Sequence, residues 1–252
     1  MANDALEQLK AILQAQPLFL PDIEASRMAM ARAAEAVPVP DEAVVEPMDA
    51  GGVRAERVSM PTARDDVWLL YNHGGGYISG SAATYRRLCC LLSAATNATV
   101  CSLNYRLAPE YPFPAGPDDV VTAWRWLIGP DGPTGASAAR TAIAGDSAGG
   151  GLVVAALAKL RDARSPLPSA AFVISPWVDL TLTSGTIESR AADDVVLSRE
   201  ILDMCSAAYR NGSDASDPTV SPAFADLTGL PPLLIHVGDA EILLDDARQL
   251  EA

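Results

Sequence analysis

A serine on a tight turn between a strand and a helix can attack a carbonyl, and Ala144-Gly145-Asp146-Ser147-Ala148-Gly149-Gly150 has that form. An apolar run, Thr141 to Gly145, precedes it, and a helical stretch rich in Leu, Val and Ala, Ser147 to Arg161, follows. In such a G-x-S-x-G elbow the hydroxyl stands above the sheet, while Gly145 and Gly149 admit backbone crossings that a larger side chain would block. The helix N-terminus behind Ser147 favours negative charge developing there. Serine is also a preferred N-cap, so the motif alone admits a second reading in which Ser147 only caps the helix.

A second glycine-bearing bend, His73-Gly74-Gly75-Gly76, also follows an apolar run, Val67 to Asn72. Consecutive glycines can turn backbone N–H groups toward a ligand without Cβ obstruction. Acyl transfer needs such donors, because charge develops on the former carbonyl oxygen. Gly74 and Gly75 could donate alongside Ala148, the residue after the serine. A plain glycine-rich turn is the alternative.

Positioning these bends requires a sheet. Short apolar runs at Val53–Met60, Val67–Asn72, Ala98–Leu103, Thr141–Gly145, Ala170–Ser175 and Pro232–Val237 read as strands. Helical stretches separate them at Tyr85–Ala95, Asp118–Leu127, Ser147–Arg161 and from Leu243 onward, the alternation of an α/β domain with a largely parallel sheet. Nearly continuous apolar runs such as Ala170–Ile174 suit strands covered on both faces. Leu6, Leu9, Ile12 and Leu13 recur at helical spacing in the first 36 residues. Residues 181–229 break the rhythm with Ser, Thr, Asp and Pro around one helical piece, Ser198–Tyr209, and read as an insertion above the sheet.

The chain has 252 residues, 49% hydrophobic and 20% charged, which excludes a disordered or fibrous class. Its formal charge of −14 disfavours nucleic acid and anionic membranes as partners and favours small neutral or cationic molecules. The acidic start lacks a signal-peptide pattern, so the sequence predicts a cytoplasmic protein. Cys89, Cys90, Cys101 and Cys205 show no metal or disulfide spacing and are expected to be buried thiols. Neither a metal site nor an organic cofactor is predicted. The only histidines are His73 and His236, and the latter, inside Leu233-Leu-Ile-His-Val237, reads as a satisfied or core-facing strand residue.

HGGG followed by GDSAGG, with Asn104-Tyr-Arg-Leu-Ala-Pro-Glu110 between them and Ser175-Pro-Trp-Val-Asp-Leu180 after, resembles the hormone-sensitive-lipase-like family of α/β-hydrolase esterases. The resemblance runs from about residue 50 to the C-terminus. It implies an α/β-hydrolase fold, a mostly parallel sheet flanked by helices, with an N-terminal helical cap over residues 1–45 and a core over 46–252. It also implies hydrolysis of small uncharged carboxylic esters by a Ser-acid-His triad, with the lid and acyl pocket formed by the N-terminus and the 181–229 insertion. His73, with Gly76, would support the oxyanion loop, and Asn104-Tyr-Arg106 and Pro114 to Asp118 would be scaffold. Aligning the family's D-x-L-x-D pattern on Asp239-Ala-Glu-Ile-Leu-Leu-Asp245 places Glu241 on the acid, with Asp239 as the competitor. The family's triad histidine follows the acid, and no histidine follows Glu241. The resemblance therefore implies a chain lacking its last strand and helix, which leaves an open sheet edge at Pro232–Val237, and a homodimer through a sheet edge in the complete protein. A non-catalytic small-molecule-binding homologue is the alternative function.

Overall fold

The computed structural model describes residues 2–251. Two helices come first, α1 (Ala2–Ala15) and α2 (Ile23–Glu35). Asp22 starts α2 by accepting the Ala25 amide at 2.7 Å, satisfying one of the donors a helix leaves free at its N-terminus. Strands β1 (Val44–Asp49), β2 (Arg54–Ser59) and β3 (Arg64–Asn72) follow, then α3 (Arg86–Thr96), β4 (Ala98–Leu103), α4 (Ala115–Leu127), β5 (Thr141–Asp146), α5 (Ala148–Asp162) and β6 (Ala171–Ile174). Within 181–229 lie α6 (Thr186–Ser189) and α7 (Arg199–Arg210), and β7 (Leu233–His236) leads to α8 (Leu244–Glu251).

The strands form one sheet in the order β1-β2-β4-β3-β5-β6-β7. β2 pairs antiparallel with β1 and β4, and every pair from β4 to β7 is parallel. Successive residues of the central strands enter opposite cores, as the two-residue period of a strand dictates. Leu70 of β3 and Ile143 of β5 pack with Trp124 of α4 and Leu152 and Leu157 of α5. Their neighbours Leu69, Tyr71 and Ala144 pack with Cys89 and Cys90 of α3 on the other face. All four cysteines are free and buried.

The six strands read from the sequence are present, with ends shifted by a few residues, and the sheet has a seventh. β1 is mostly exposed and carries Pro47, which an edge strand tolerates, so it lacks the apolar run that marks the others. At the opposite edge, among the described residues, β7 pairs with β6 alone and exposes Leu234. His236 is a correction: its ring is exposed and meets Phe172 edge-on, at 5.0 Å between centroids, instead of entering the core. In α1 the helix forms as its spacing predicts, but Leu6, Leu9 and Ile12 remain about half exposed, at 49%, 52% and 56%.

Candidate active site

β3 and β5 are neighbours, and Asn72 lies opposite Gly145 in their register. The chain therefore leaves the sheet at two adjacent points, through His73–Gly76 and through Asp146–Ala148. Their approach is close enough to require glycine. A Cβ on Gly149 would stand 2.0 Å from the Asn72 carbonyl oxygen and 2.5 Å from that of His73. The two bends that lie far apart in the sequence thus pack against each other above one sheet.

Ser147 is half-buried and adopts φ 50°, ψ −122°, a conformation a residue with a side chain rarely takes. Surrounding backbone holds it there: its N–H donates to Ile174 O at 2.9 Å, and its carbonyl accepts from Trp177 N at 2.9 Å and Gly151 N at 3.1 Å. The side chain makes no capping bond to α5, so the N-cap reading of this serine fails. The hydroxyl is left available while its backbone is fixed.

Asp146, the residue before the serine, ties the two bends together. Its Oδ1 accepts from Tyr71 OH at 2.7 Å and Gly74 N at 2.9 Å, and its Oδ2 accepts from Tyr85 OH at 2.7 Å. Burial pushes the Asp146 carboxyl up, and these donors oppose the shift. The bond to Gly74 overturns one expectation, because that amide is committed to Asp146 and faces away from any developing oxyanion. Among the described residues, the amides of Gly75, Gly76 and Ala148 have no acceptor.

Peptide planarity explains where the free amides point, since C=O and N–H project to opposite sides of a trans unit. His73 is buried, and its Nδ1 lies 2.7 Å from the Gly74 carbonyl oxygen, which can only accept, so Nδ1 carries the proton. That bond turns the Gly75 N–H the other way. Burial lowers the His73 pKa to about 4, keeping the ring neutral. The ring stacks on Tyr105 at 4.3 Å, and Tyr105 OH donates to His73 O at 2.8 Å. The segment Asn104-Tyr-Arg106 thus meets His73 through Tyr105 and is itself held by Arg106, which pairs with Asp119 at 2.7 Å.

Glu241 sits just past β7, half-buried, with Oε1 accepting from Gly238 N at 2.8 Å. It lines a cavity of about 470 Å³ with Ser175, His236 and Val237. Asp239 is exposed. The Glu241 loop is anchored by the buried side chains Ile242 and Leu243 and by Asp194 of the insertion, which accepts from Ile242 N at 3.0 Å. Asp246 of α8 accepts from Val178 N at 2.8 Å and Asp179 N at 2.9 Å, joining this loop to the segment that carries Trp177. Burial pushes the Asp246 carboxyl up to about 7. Neither histidine bonds to Ser147 or Glu241 among the described residues.

Two segments distant in sequence approach Gly76. A Cβ on Gly76 would lie 2.6 Å from Cys205 Sγ of α7 and 3.6 Å from Phe19 Cε1 of the N-terminal segment. A separate cavity of about 760 Å³ opens between α2 and α3, lined by Met30, Leu88 and Tyr85 among others. Among the described residues no cluster of three or more His, Cys, Asp or Glu side chains could hold a metal ion, and no helix is long and apolar enough to cross a membrane.

A family model described as α/β hydrolase fold matches residues 69–252. A solved esterase from the bacterial hormone-sensitive lipase family superimposes with a TM-score of 0.92 at 40% identity, covering 97% of this chain and 82% of that one. The chain belongs to the hormone-sensitive-lipase-like esterases of the α/β-hydrolase fold. An acetyl-hydrolase of Streptomyces hygroscopicus is 45% identical over 235 residues, which are 91% of this chain and 75% of that protein. The carboxylesterase NlhH of Mycobacterium tuberculosis is 37% identical over 194 residues, 74% of this chain and 60% of that protein. A structure of EstE5 soaked with p-nitrophenyl butyrate aligns with a TM-score of 0.89 at 43% identity over 96% of this chain and 81% of that one. Membership makes this α/β hydrolase one of a family of carboxylic ester hydrolases.

Sequence reasoning missed Asp146, Tyr71, Tyr85, Asp194 and Asp246 as site supports. Asp146 lies inside the motif, at a position where G-x-S-x-G specifies no residue type. The others gave no local signal, since each acts through a bond to a residue distant in the chain.

Proposed function

We propose that the protein is a serine carboxylesterase acting on small uncharged esters through an acyl-enzyme. In this reading the Ser147 Oγ attacks the ester carbonyl carbon as its proton passes to a base. The amides of Gly75, Gly76 and Ala148 hold the oxyanion, the alcohol leaves, and water releases the acid. Gly76 takes the donor role first assigned to Gly74. Glu241 is favoured over Asp239 as the acid that orients the base, because its carboxylate faces the cavity beside β7 and its loop is anchored on both sides. A histidine docked against Glu241 is the base this mechanism requires, and His73 and His236 do not meet it in this structure. The contacts of Phe19 and Cys205 at Gly76 support an acyl pocket between the N-terminal segment and the insertion.

The observation that carries the reading is the pairing of a backbone-strained, uncapped serine with two unoccupied amides on the adjoining loop. The test is hydrolysis of p-nitrophenyl butyrate by the product of the full open reading frame. Ser147→Ala should lower kcat by roughly 10⁶-fold, as loss of a triad nucleophile does, and turnover that survives this substitution overturns the assignment. The unmet base favours a second reading, a small-molecule-binding homologue, which predicts ligand binding without Ser147-dependent turnover.

A further inference from the structure

We infer that α2 positions the oxyanion amide of Gly76, acting through Ser79 and Arg27, and does not merely cover the site. The inference rests on the hydrolase reading above and assigns the two amides of the oxyanion loop to different supports.

The Gly75 amide is aimed from within the core. It shares a peptide plane with the Gly74 carbonyl, which His73 holds from the opposite side. The Gly76 amide shares its plane with the Gly75 carbonyl, and that oxygen accepts from Ile78 N at 3.1 Å, Ser79 N at 3.0 Å and Ser79 Oγ at 2.8 Å. These donors lie on one side of the peptide, so the Gly76 N–H points to the other. A Cβ on Gly75, where φ is +122°, would fall 2.2 Å from Ser79 O, which shows how tightly this turn closes.

The two residues supplying those donors are gripped by one face of α2. Arg27 Nε donates to Ile78 O at 2.8 Å and Nη2 to Ala108 O at 3.1 Å, and the guanidinium is held in a bidentate pair with Glu110, at 2.8 and 2.7 Å. Met30, on the same helix face as Arg27, places its sulfur 3.1 Å from Ser79 Oγ. Ser79 is fully buried and has one hydroxyl proton. A carbonyl oxygen is a stronger acceptor than a thioether, so that proton goes to Gly75 and Met30 abuts the oxygen from behind. Arg27 and Met30 therefore fix the turn that fixes the Gly75 carbonyl, and through it the direction of the Gly76 N–H. Ser79 and Arg27 are positioning residues, and neither touches the reacting atoms.

The test measures kcat and KM for p-nitrophenyl butyrate, and the affinity of a trifluoromethyl ketone whose adduct oxygen occupies the oxyanion position, in the product of the full open reading frame. Ser79→Ala should lower kcat about tenfold or more, within the roughly hundredfold that a 1 Å misplacement can cost, while KM stays within about twofold. Ketone affinity should fall by the same factor as kcat/KM. Arg27→Met should act in the same direction, and it decides the question if Ser79→Ala does not fold. If wild-type turnover depends on Ser147 but the folded variants keep kcat and ketone affinity within about twofold while only Tm falls, their role is structural and the inference is overturned. If turnover is independent of Ser147, the hydrolase reading itself fails and the inference fails with it.

Discussion

Asp146 and Glu241 are both half-buried carboxylates beside the site, yet Asp146 accepts hydrogen bonds from Tyr71, Tyr85 and Gly74 while Glu241 accepts one, from Gly238. Asp146 ends the interior strand β5, beside the bend that follows β3, and Glu241 lies past the edge strand β7. The Ser147 side of the proposed site is thus built into the fold, where a change disturbs many partners at once. The Glu241 side rests on a loop past the sheet, where, if Glu241 is the acid we propose, a change should alter chemistry and leave folding nearly untouched. Substitutions on the two sides should separate activity from stability accordingly.

The largest separation is expected at Glu241. Glu241→Gln should reduce kcat by about 10⁴-fold, the scale seen when a triad acid becomes an amide, while changing unfolding free energy by less than about 0.5 kcal/mol. Asp239→Asn should leave kcat within about twofold, as expected for an exposed side chain away from the chemistry. Steady-state hydrolysis and urea unfolding of the pair check this, and equal losses from both substitutions would remove Glu241's priority. On the nucleophile side, Asp146→Ala leaves two phenolic hydroxyls and the Gly74 amide without their acceptor. At about 1 to 3 kcal/mol for each buried unsatisfied group, it should cost at least about 3 kcal/mol in urea unfolding, with Tyr85→Phe costing about 1 kcal/mol. A mild Asp146→Ala would show that the two bends are held together by packing alone.

The smallest effect concerns α2. The Arg27 guanidinium holds the Glu110 carboxyl down at about 2. The ion pair therefore stabilises the fold above the ordinary carboxylate range, and its contribution is lost as pH falls through that range toward about 2. Glu110 is 52% exposed, so solvent screening limits the contribution to under about 1 kcal/mol. Glu110→Gln should lower Tm slightly at neutral pH and flatten the acid limb of a thermal-melt pH profile. An unchanged acid limb would detach this pair from the anchoring of α2.

The two sides also differed in how readily their residues could be read. Ser147, Gly145, Gly149 and the His73–Gly76 bend announce themselves because sterics dictate residue type where backbones cross, and the strands of the double-sided sheet announce themselves by apolar runs. The direction of an amide leaves no such mark: Gly74, Gly75 and Gly76 are the same residue, and only the partners of the neighbouring carbonyls distinguish them. Tyr71 and Tyr85 read as ordinary core aromatics until their hydroxyls are seen on Asp146. β1 escaped because an exposed edge strand has little apolar signal. His236 reads as core-facing because its run is apolar, yet it shares with Leu234 the exposed face of β7.

The backbone angles of Ser147 carry one more consequence. Glycine would occupy φ 50°, ψ −122° without the Cβ conflict that serine suffers there. Ser147→Gly should therefore make the protein harder to unfold by on the order of 1 kcal/mol, after allowing for the greater freedom glycine gives the unfolded chain. Selection for thermal endurance alone would thus erode the hydroxyl that the proposed hydrolysis requires, setting endurance against reactivity at one strained point of the main chain.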